Sequence, residues 1–180
     1  MSICILKNHP DHYEITTDSL CGASSLDSGS KIDTIEGVKN PKVYEISRDF
    51  YLVHAGSPML ADYCLTYCLK YYAEGELKKI SRLKMSSLIM DFRLTAKDKL
   101  GTFWPVDTQL AFVSPYYMRV NFDLCVVSNV KDFEILGSGR QIGFGAMEMG
   151  ATTTQAVEIA CKYNYCSLPV FTVNINKKGM

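Results

Sequence analysis

No stretch of this 180-residue chain approaches the roughly 18 uninterrupted apolar residues that a membrane-spanning helix requires. The opening Met1-Ser2-Ile3-Cys4-Ile5-Leu6-Lys7 is too short an apolar run for a signal peptide and meets Asn8, His9 and Asp11 at once. The protein is therefore expected to stay where it is made, in the cytoplasm. Net charge is missing as well. The 19 basic and 19 acidic side chains cancel, which argues against a broad surface for nucleic acid or a membrane of anionic lipid. The seven cysteines are odd in number and scattered, so reduced thiols are expected rather than a disulfide framework. Cys64 and Cys68 lack a second pair at ligand spacing and are expected as small core residues, not as a zinc site. His9, His12 and His54 are too dispersed for a metal triad, and no metal or cofactor is expected. Heptads, low-complexity tracts and solenoid-length repeats are absent.

What remains is the pattern of an ordinary globular protein, with a length that suits one domain over residues 1–180. Ile3 to Lys7 and His12 to Thr17 flank the turn-rich Asn8-His9-Pro10-Asp11 and predict a hairpin. Cys21 to Lys39 is rich in Gly, Ser and Asp and predicts loop. Extended runs follow at Lys42 to Ser47 and Phe50 to His54, separated by the polar pair Arg48-Asp49. After Gly56 the period changes. Leu60, Cys64, Tyr67, Cys68 and Tyr71 make one helical stripe, and Met85, Leu88, Ile89, Phe92 and Ala96 make a second. The basic, glycine-containing segment from Gly75 to Arg82 separates them.

Strand pattern then returns. Met118, Val120, Phe122 and Leu124 alternate with Arg119, Asn121 and Asp123, the mark of a strand buried on one face. Leu110 to Val113 is expected to pair with it across Ser114-Pro115. Helices are predicted from about Arg140 to Met149 and from Thr153 to Tyr163, with Thr152 and Gln155 as a capping box for the second. Phe171, Val173 and Ile175 end the pattern on a strand. Strands, two helices, strands, two helices and a strand fit an α+β architecture: a four-layer α-β-β-α sandwich with two antiparallel sheets. Composition alone does not choose this over another α+β arrangement.

Five places in the chain resemble one family. They are Met1-Ser2-Ile3-Cys4-Ile5, Thr17-Asp18-Ser19, Asn40-Pro41-Lys42-Val43, His54-Ala55-Gly56-Ser57, and Leu136-Gly137-Ser138-Gly139 leading into Gly143-Phe144-Gly145-Ala146. In this order and spacing they are similar to the proteasome β-subunit and the HslV-type peptidase, members of the N-terminal-nucleophile hydrolases. The nearest-looking members are short proteasome-like proteins, some of them phage-encoded. For a phage-encoded protein the compartment would be the host cytoplasm.

The resemblance implies a peptidase in which the hydroxyl of the first mature residue attacks a carbonyl and that residue's own α-amine takes the proton. A free α-amine has a pKa of about 7.7–8.0, so part of it is already basic at neutral pH. Here the nucleophile would be Ser2 after removal of Met1, with serine where the family has threonine. Lys42 would be the central cation and Asp18 its counter-charge. The backbone N–H of Gly56 would belong to the oxyanion hole. Ser138 would hydrogen-bond near the amine, or else act as an ordinary helix N-cap. The family's acid before the last strand has Asn164 in its place, and Ser167 matches a further family serine. Partners implied by the resemblance are copies of the same chain in a homo-oligomer (a stacked ring), an ATP-driven unfoldase, and peptide substrate. Two alternatives stay open: a non-catalytic ring-forming or partner-binding member, and a small-molecule amidase on the same fold.

Overall fold

The computed structural model describes residues 2–19, 42–47, 49–71, 74–100, 108–121, 127–163, 166 and 168–178. The expected loop at Cys21 to Lys39 lies outside them, as do Asn164 and Ser167. The first sheet contains β1 (Cys4–Asn8), β2 (His12–Thr17), β8 (Phe133–Leu136) and β9 (Phe171–Asn176), in the order β8-β1-β2-β9. The second contains β3 (Val43–Ser47), β4 (Phe50–Ala55), β5 (Gln109–Ser114), β6 (Tyr117–Asn121) and β7 (Val127–Asn129), in the order β3-β4-β5-β6-β7. All the pairings are antiparallel. The helices are α1 (Pro58–Tyr71), α2 (Glu74–Lys79), α3 (Arg82–Leu100), α4 (Arg140–Glu148) and α5 (Thr153–Lys162).

The layering follows from which alternate residues meet. Cys4, Leu6, Tyr13 and Ile15 of the first sheet share a core with Val53, Ala55, Ala111, Val113, Met118 and Val120 of the second. The opposite residues of those strands bury against helices. Phe50, Leu52, Leu110 and Phe112 pack on Leu60, Cys64, Cys68, Met85, Leu88 and Phe92 of α1 and α3. Ile3, Ile5 and Ile135 pack on Ala146, Ala156, Val157 and Ala160 of α4 and α5. Three cores between four layers make the α-β-β-α sandwich. Each fully buried Leu, Ile or Phe adds about 1.5–3 kcal/mol, so an apolar stripe on both faces of a strand is a strong determinant of this stacking.

Two expectations are corrected. The strand through Met118 and Val120 is buried on both faces: Tyr117 packs in the helix-side core, and Asn121 is 1% exposed. Its side-chain Oδ1 accepts from Nη2 of Arg93 on α3 at 3.3 Å. The polar alternates of β6 thus point at the helix layer rather than at water; Phe122 and Leu124 lie outside the described residues. The separator between the two long helices contains a short helix of its own, α2. Cys64 and Cys68 are fully buried free thiols, as expected of core residues. Among the described residues no helix is long and apolar enough to cross a membrane.

The entry to α5 is capped by side chains. Gln155 N donates to Thr152 Oγ1 at 3.2 Å, and Thr152 N donates to Gln155 Oε1 at 2.9 Å, a complete capping box. Thr152→Ala removes one acceptor for an orphan N–H and is expected to destabilise the protein by about 1 kcal/mol. Urea unfolding of the variant checks this, and a shift indistinguishable from zero would contradict it.

Candidate active site

The start of β1 lies between two neighbours that both end beside it. Cys4 pairs with Thr17 of β2 and with Leu136 of β8. Antiparallel pairing therefore delivers the residues just past β2 and just past β8 to the two flanks of Ser2-Ile3. On one flank Ile3 N donates to Asp18 Oδ1 at 2.9 Å, and Asp18 N donates back to Ile3 O at 3.3 Å. On the other, Ser2 N donates to Ser138 Oγ at 3.1 Å, and Gly139 N donates to Ser2 O at 3.1 Å. Ser2 itself is 8% exposed, and among the described residues its Oγ has no hydrogen-bond partner.

The second sheet contributes the cation. Lys42 stands at the entry to β3, where its carbonyl accepts from His54 N of β4 at 3.1 Å. Its ammonium crosses between the sheets and donates to Asp18 Oδ1. Both side chains are out of water, Lys42 at 1% exposure and Asp18 at none. Burying a pair this deeply is tolerated where each charge answers the other and further hydrogen bonds support it, as Ile3 N does for Asp18. One carboxylate oxygen thus joins the Lys42 ammonium to the backbone of residue 3, one residue from the Ser2 hydroxyl.

Gly56 follows β4 with φ 120°, a backbone region that glycine occupies without strain. It is exposed, beside Ala55, whose Cβ is one of the atoms nearest the turn at Gly137. Of the expected site residues, Ser138 bonds to Ser2 and Lys42 bonds to Asp18, the two pairs meeting through the Ser2-Ile3 backbone, and Gly56 lies at the adjoining strand end. The alternative for Ser138 is corrected. The N-cap of α4 is Gly139, with no side-chain cap; Ser138 Oγ faces the chain's first residues instead.

Two supports had no signal in the sequence. Gln109 Oε1, at the start of β5, accepts from Gly137 N at 2.7 Å, and the neighbouring Thr108 Oγ1 accepts from Ser57 N at 3.0 Å. Residues 108 and 109 therefore hold both the turn carrying Ser138 and the corner carrying Gly56. Only contact across the sandwich reveals this, since a Thr-Gln pair at a strand start is commonplace. Two thiols also lie within electrostatic reach of Asp18 and Lys42. Burial pushes the Cys166 thiol far up, aided by the neighbouring Cys161, and burial raises Cys161 too, so both are neutral thiols rather than thiolates. Cys4 is fully buried, and its Sγ donates to His54 O at 3.2 Å.

Two antiparallel sheets between helix layers, with an interior strand beginning where both neighbours end, define the proteasome-like N-terminal-nucleophile hydrolase fold. No family model and no curated protein matches the sequence. Solved structures match its fold. Thiobacillus denitrificans BPH in complex with epoxomicin superposes with a TM-score of 0.80 at 14% identity, covering 98% of this chain and 100% of that one. Another structure of Thiobacillus denitrificans BPH gives 0.72 at 16% identity, covering 98% of each chain. Eukaryotic HslV from Trypanosoma brucei gives 0.69 at 13% identity, covering 97% of this chain and 99% of that one. The chain has the HslV fold over nearly its whole length, reached with little shared sequence.

Proposed function

We propose that this chain is a proteasome-like peptidase whose nucleophile is the Ser2 hydroxyl once Met1 has been removed. The observation that carries the reading is the position of Ser2: its nitrogen lies 3.1 Å from Ser138 Oγ, and its own Oγ has no other claim on it among the described residues. Ser2 Oγ attacks the peptide carbonyl carbon and passes its proton to the Ser2 α-amine. The carbonyl oxygen becomes an oxyanion that receives the Gly56 N–H. Collapse of this intermediate breaks the C–N bond, and the leaving amine takes the proton back from the Ser2 nitrogen. An ester on Ser2 remains. Water then attacks it, with the same amine as base, and releases the acid.

Lys42 acts on this base through space. A fixed positive charge nearby disfavours protonation of the amine and keeps more of it neutral. Asp18 holds the ammonium in place and keeps its charge compensated. A homo-oligomer, as a stacked ring fed by an ATP-driven unfoldase, belongs to the same reading. Leu83 and Met149, 78% and 88% exposed, supply apolar surface for such contacts. The alternative of a non-catalytic, partner-binding member is favoured by one observation: Asn164 stands where the resemblance expects an acid.

Epoxomicin is the test, because the Thiobacillus denitrificans protein holds it and its epoxyketone bonds to both the hydroxyl and the amine of a terminal residue. Protein lacking Met1 is expected to gain one inhibitor mass on Ser2, and Ser2→Ala none. The labelling rate should climb with pH as the amine loses its proton. Intact-mass spectra that show Met1 gone and no adduct would reject the peptidase and leave the non-catalytic reading.

A further inference from the structure

The far end of the same hairpin brings together residues that their spacing had kept apart. His9 and His12 face each other across a two-residue turn, with His9 N donating to His12 O at 3.0 Å. Their rings stack at 4.3 Å with planes 10° apart. Glu14 is two residues along β2 on the same face, and its Oε2 lies 3.1 Å from His9 Nε2. His54, the third of the dispersed histidines, remains elsewhere, fully buried in β4.

We propose that His9, His12 and Glu14 form a binding site for a divalent transition-metal ion of the zinc class, separate from the Ser2 site. One ligand atom from each lies within 4.8 Å of the others. Tetrahedral zinc with bonds of about 2.0–2.1 Å needs its ligand atoms about 3.3 Å apart. The His9–Glu14 edge, 3.1 Å, is close to that spacing, and the metal takes the place of the proton that His9 Nε2 shares with Glu14, which is released to solvent. His12 has to tilt out of the stack and close by at most ~1.5 Å to meet the same spacing, a side-chain rotation at a partly exposed hairpin end. Two imidazoles and a carboxylate leave the fourth position to water, a donor set that suits Zn²⁺, Co²⁺ or Ni²⁺ better than Mg²⁺ or Ca²⁺.

What separates this trio from a chance ion pair is the shell behind it. His12 Nδ1 is 2.8 Å from Asp11 Oδ1. That carboxylate holds the proton on Nδ1 and leaves Nε2 with its lone pair free for a metal. Glu14 presents Oε2 because its other oxygen is occupied: Thr153 Oγ1 and Thr16 Oγ1 both donate to Oε1, the latter at 3.3 Å. Lys177 Nζ donates to the carbonyl of His9 and clamps the turn from outside. Lys7 pairs with Glu14 in register and is an opposing positive charge on the neighbouring strand. Bound metal would tie the hairpin end to Thr153, the first residue of α5.

Titration of the whole chain with Zn²⁺ by calorimetry, under reducing conditions, is expected to give one saturable ion per chain and a higher melting temperature. His9→Asn and His12→Asn should each weaken binding at least about tenfold. Asp11→Asn should weaken it by about 10–100-fold, although Asp11 need not touch the metal. Co²⁺ should give the intense visible absorption of tetrahedral N/O ligation in the wild type and lose it in His12→Asn. Circular dichroism of the metal-free variants checks that each is folded. Binding that survives both histidine substitutions unchanged would belong to the cysteine thiols and overturn the proposal, as would the absence of any saturable heat.

Discussion

Lys42→Met should cost the fold about 3–5 kcal/mol, the loss expected when one partner of a buried ion pair is removed and the other charge is left without compensation. Methionine keeps the length and apolar stem of lysine, so packing changes little and the missing charge dominates. The group that loses its ammonium partner is Asp18, with no solvent exposure, whose Oδ1 keeps the Ile3 N–H as a donor. The double variant Lys42→Met with Asp18→Asn should recover most of the deficit. Asparagine still offers Ile3 N an acceptor, and a neutral pair has no charge to desolvate. Urea unfolding of the two single variants and the double variant measures the coupling. Epoxomicin labelling separates fold from chemistry: the double variant should be folded yet label far more slowly than the wild type. A cost below about 1 kcal/mol for Lys42→Met would match a solvated surface pair and remove the electrostatic basis of the proposed site.

Much of this architecture was legible because each layer leaves a period in the chain. The α1 and α3 stripes contain the residues that pack on the second sheet, and the predicted hairpin is β1–β2. Ser114-Pro115 joins β5 to β6 as expected, and Thr152 with Gln155 caps α5. Failures occurred where an element is too short to show a period or is covered on both sides. The three residues of β7 and four of β8 cannot announce alternation. Arg119 and Asn121 look solvent-facing in sequence because polar residues on alternate positions usually are, but α3 covers that face.

The candidate site divides along the same line. Ser2 and Asp18 lie on one hairpin, so their meeting follows from local pairing. Lys42 and Ser138 reach it from β3 and from the turn after β8, and only the family resemblance linked them to it. Gln109 and Thr108, which brace both turns, had neither route. The histidines mislead in the opposite sense. His9-Pro10-Asp11-His12 reads as dispersed donors, yet closing a two-residue turn puts its outer positions face to face, and period two brings Glu14 onto their side. Turn geometry held that information before any tertiary contact was known.

Gly137→Ala, beside the proposed site, should be strongly damaging, at a cost of about 3 kcal/mol or more from strain and collision together. Gly137 has φ +94°, and a Cβ placed there would stand 2.2 Å from the Ser2 carbonyl oxygen and 2.8 Å from its carbonyl carbon. Those atoms are backbone, and they are pinned: Gly139 N donates to that same oxygen. Relief therefore requires moving Ser2 itself or the turn that presents Ser138, so labelling should fail even where the variant folds. Gly145→Ala is the matched comparison on α4, where a Cβ would meet nothing within 4 Å. At that exposed helical position alanine removes backbone freedom from the unfolded chain and should stabilise by about 0.4–1 kcal/mol. Opposite signs for the same added methyl, read by urea unfolding and by epoxomicin labelling, would follow from the close approach of the Ser138 turn to Ser2. Equal and small effects would mean that this approach is not maintained in solution, and that the Ser2 nitrogen is not held against Ser138.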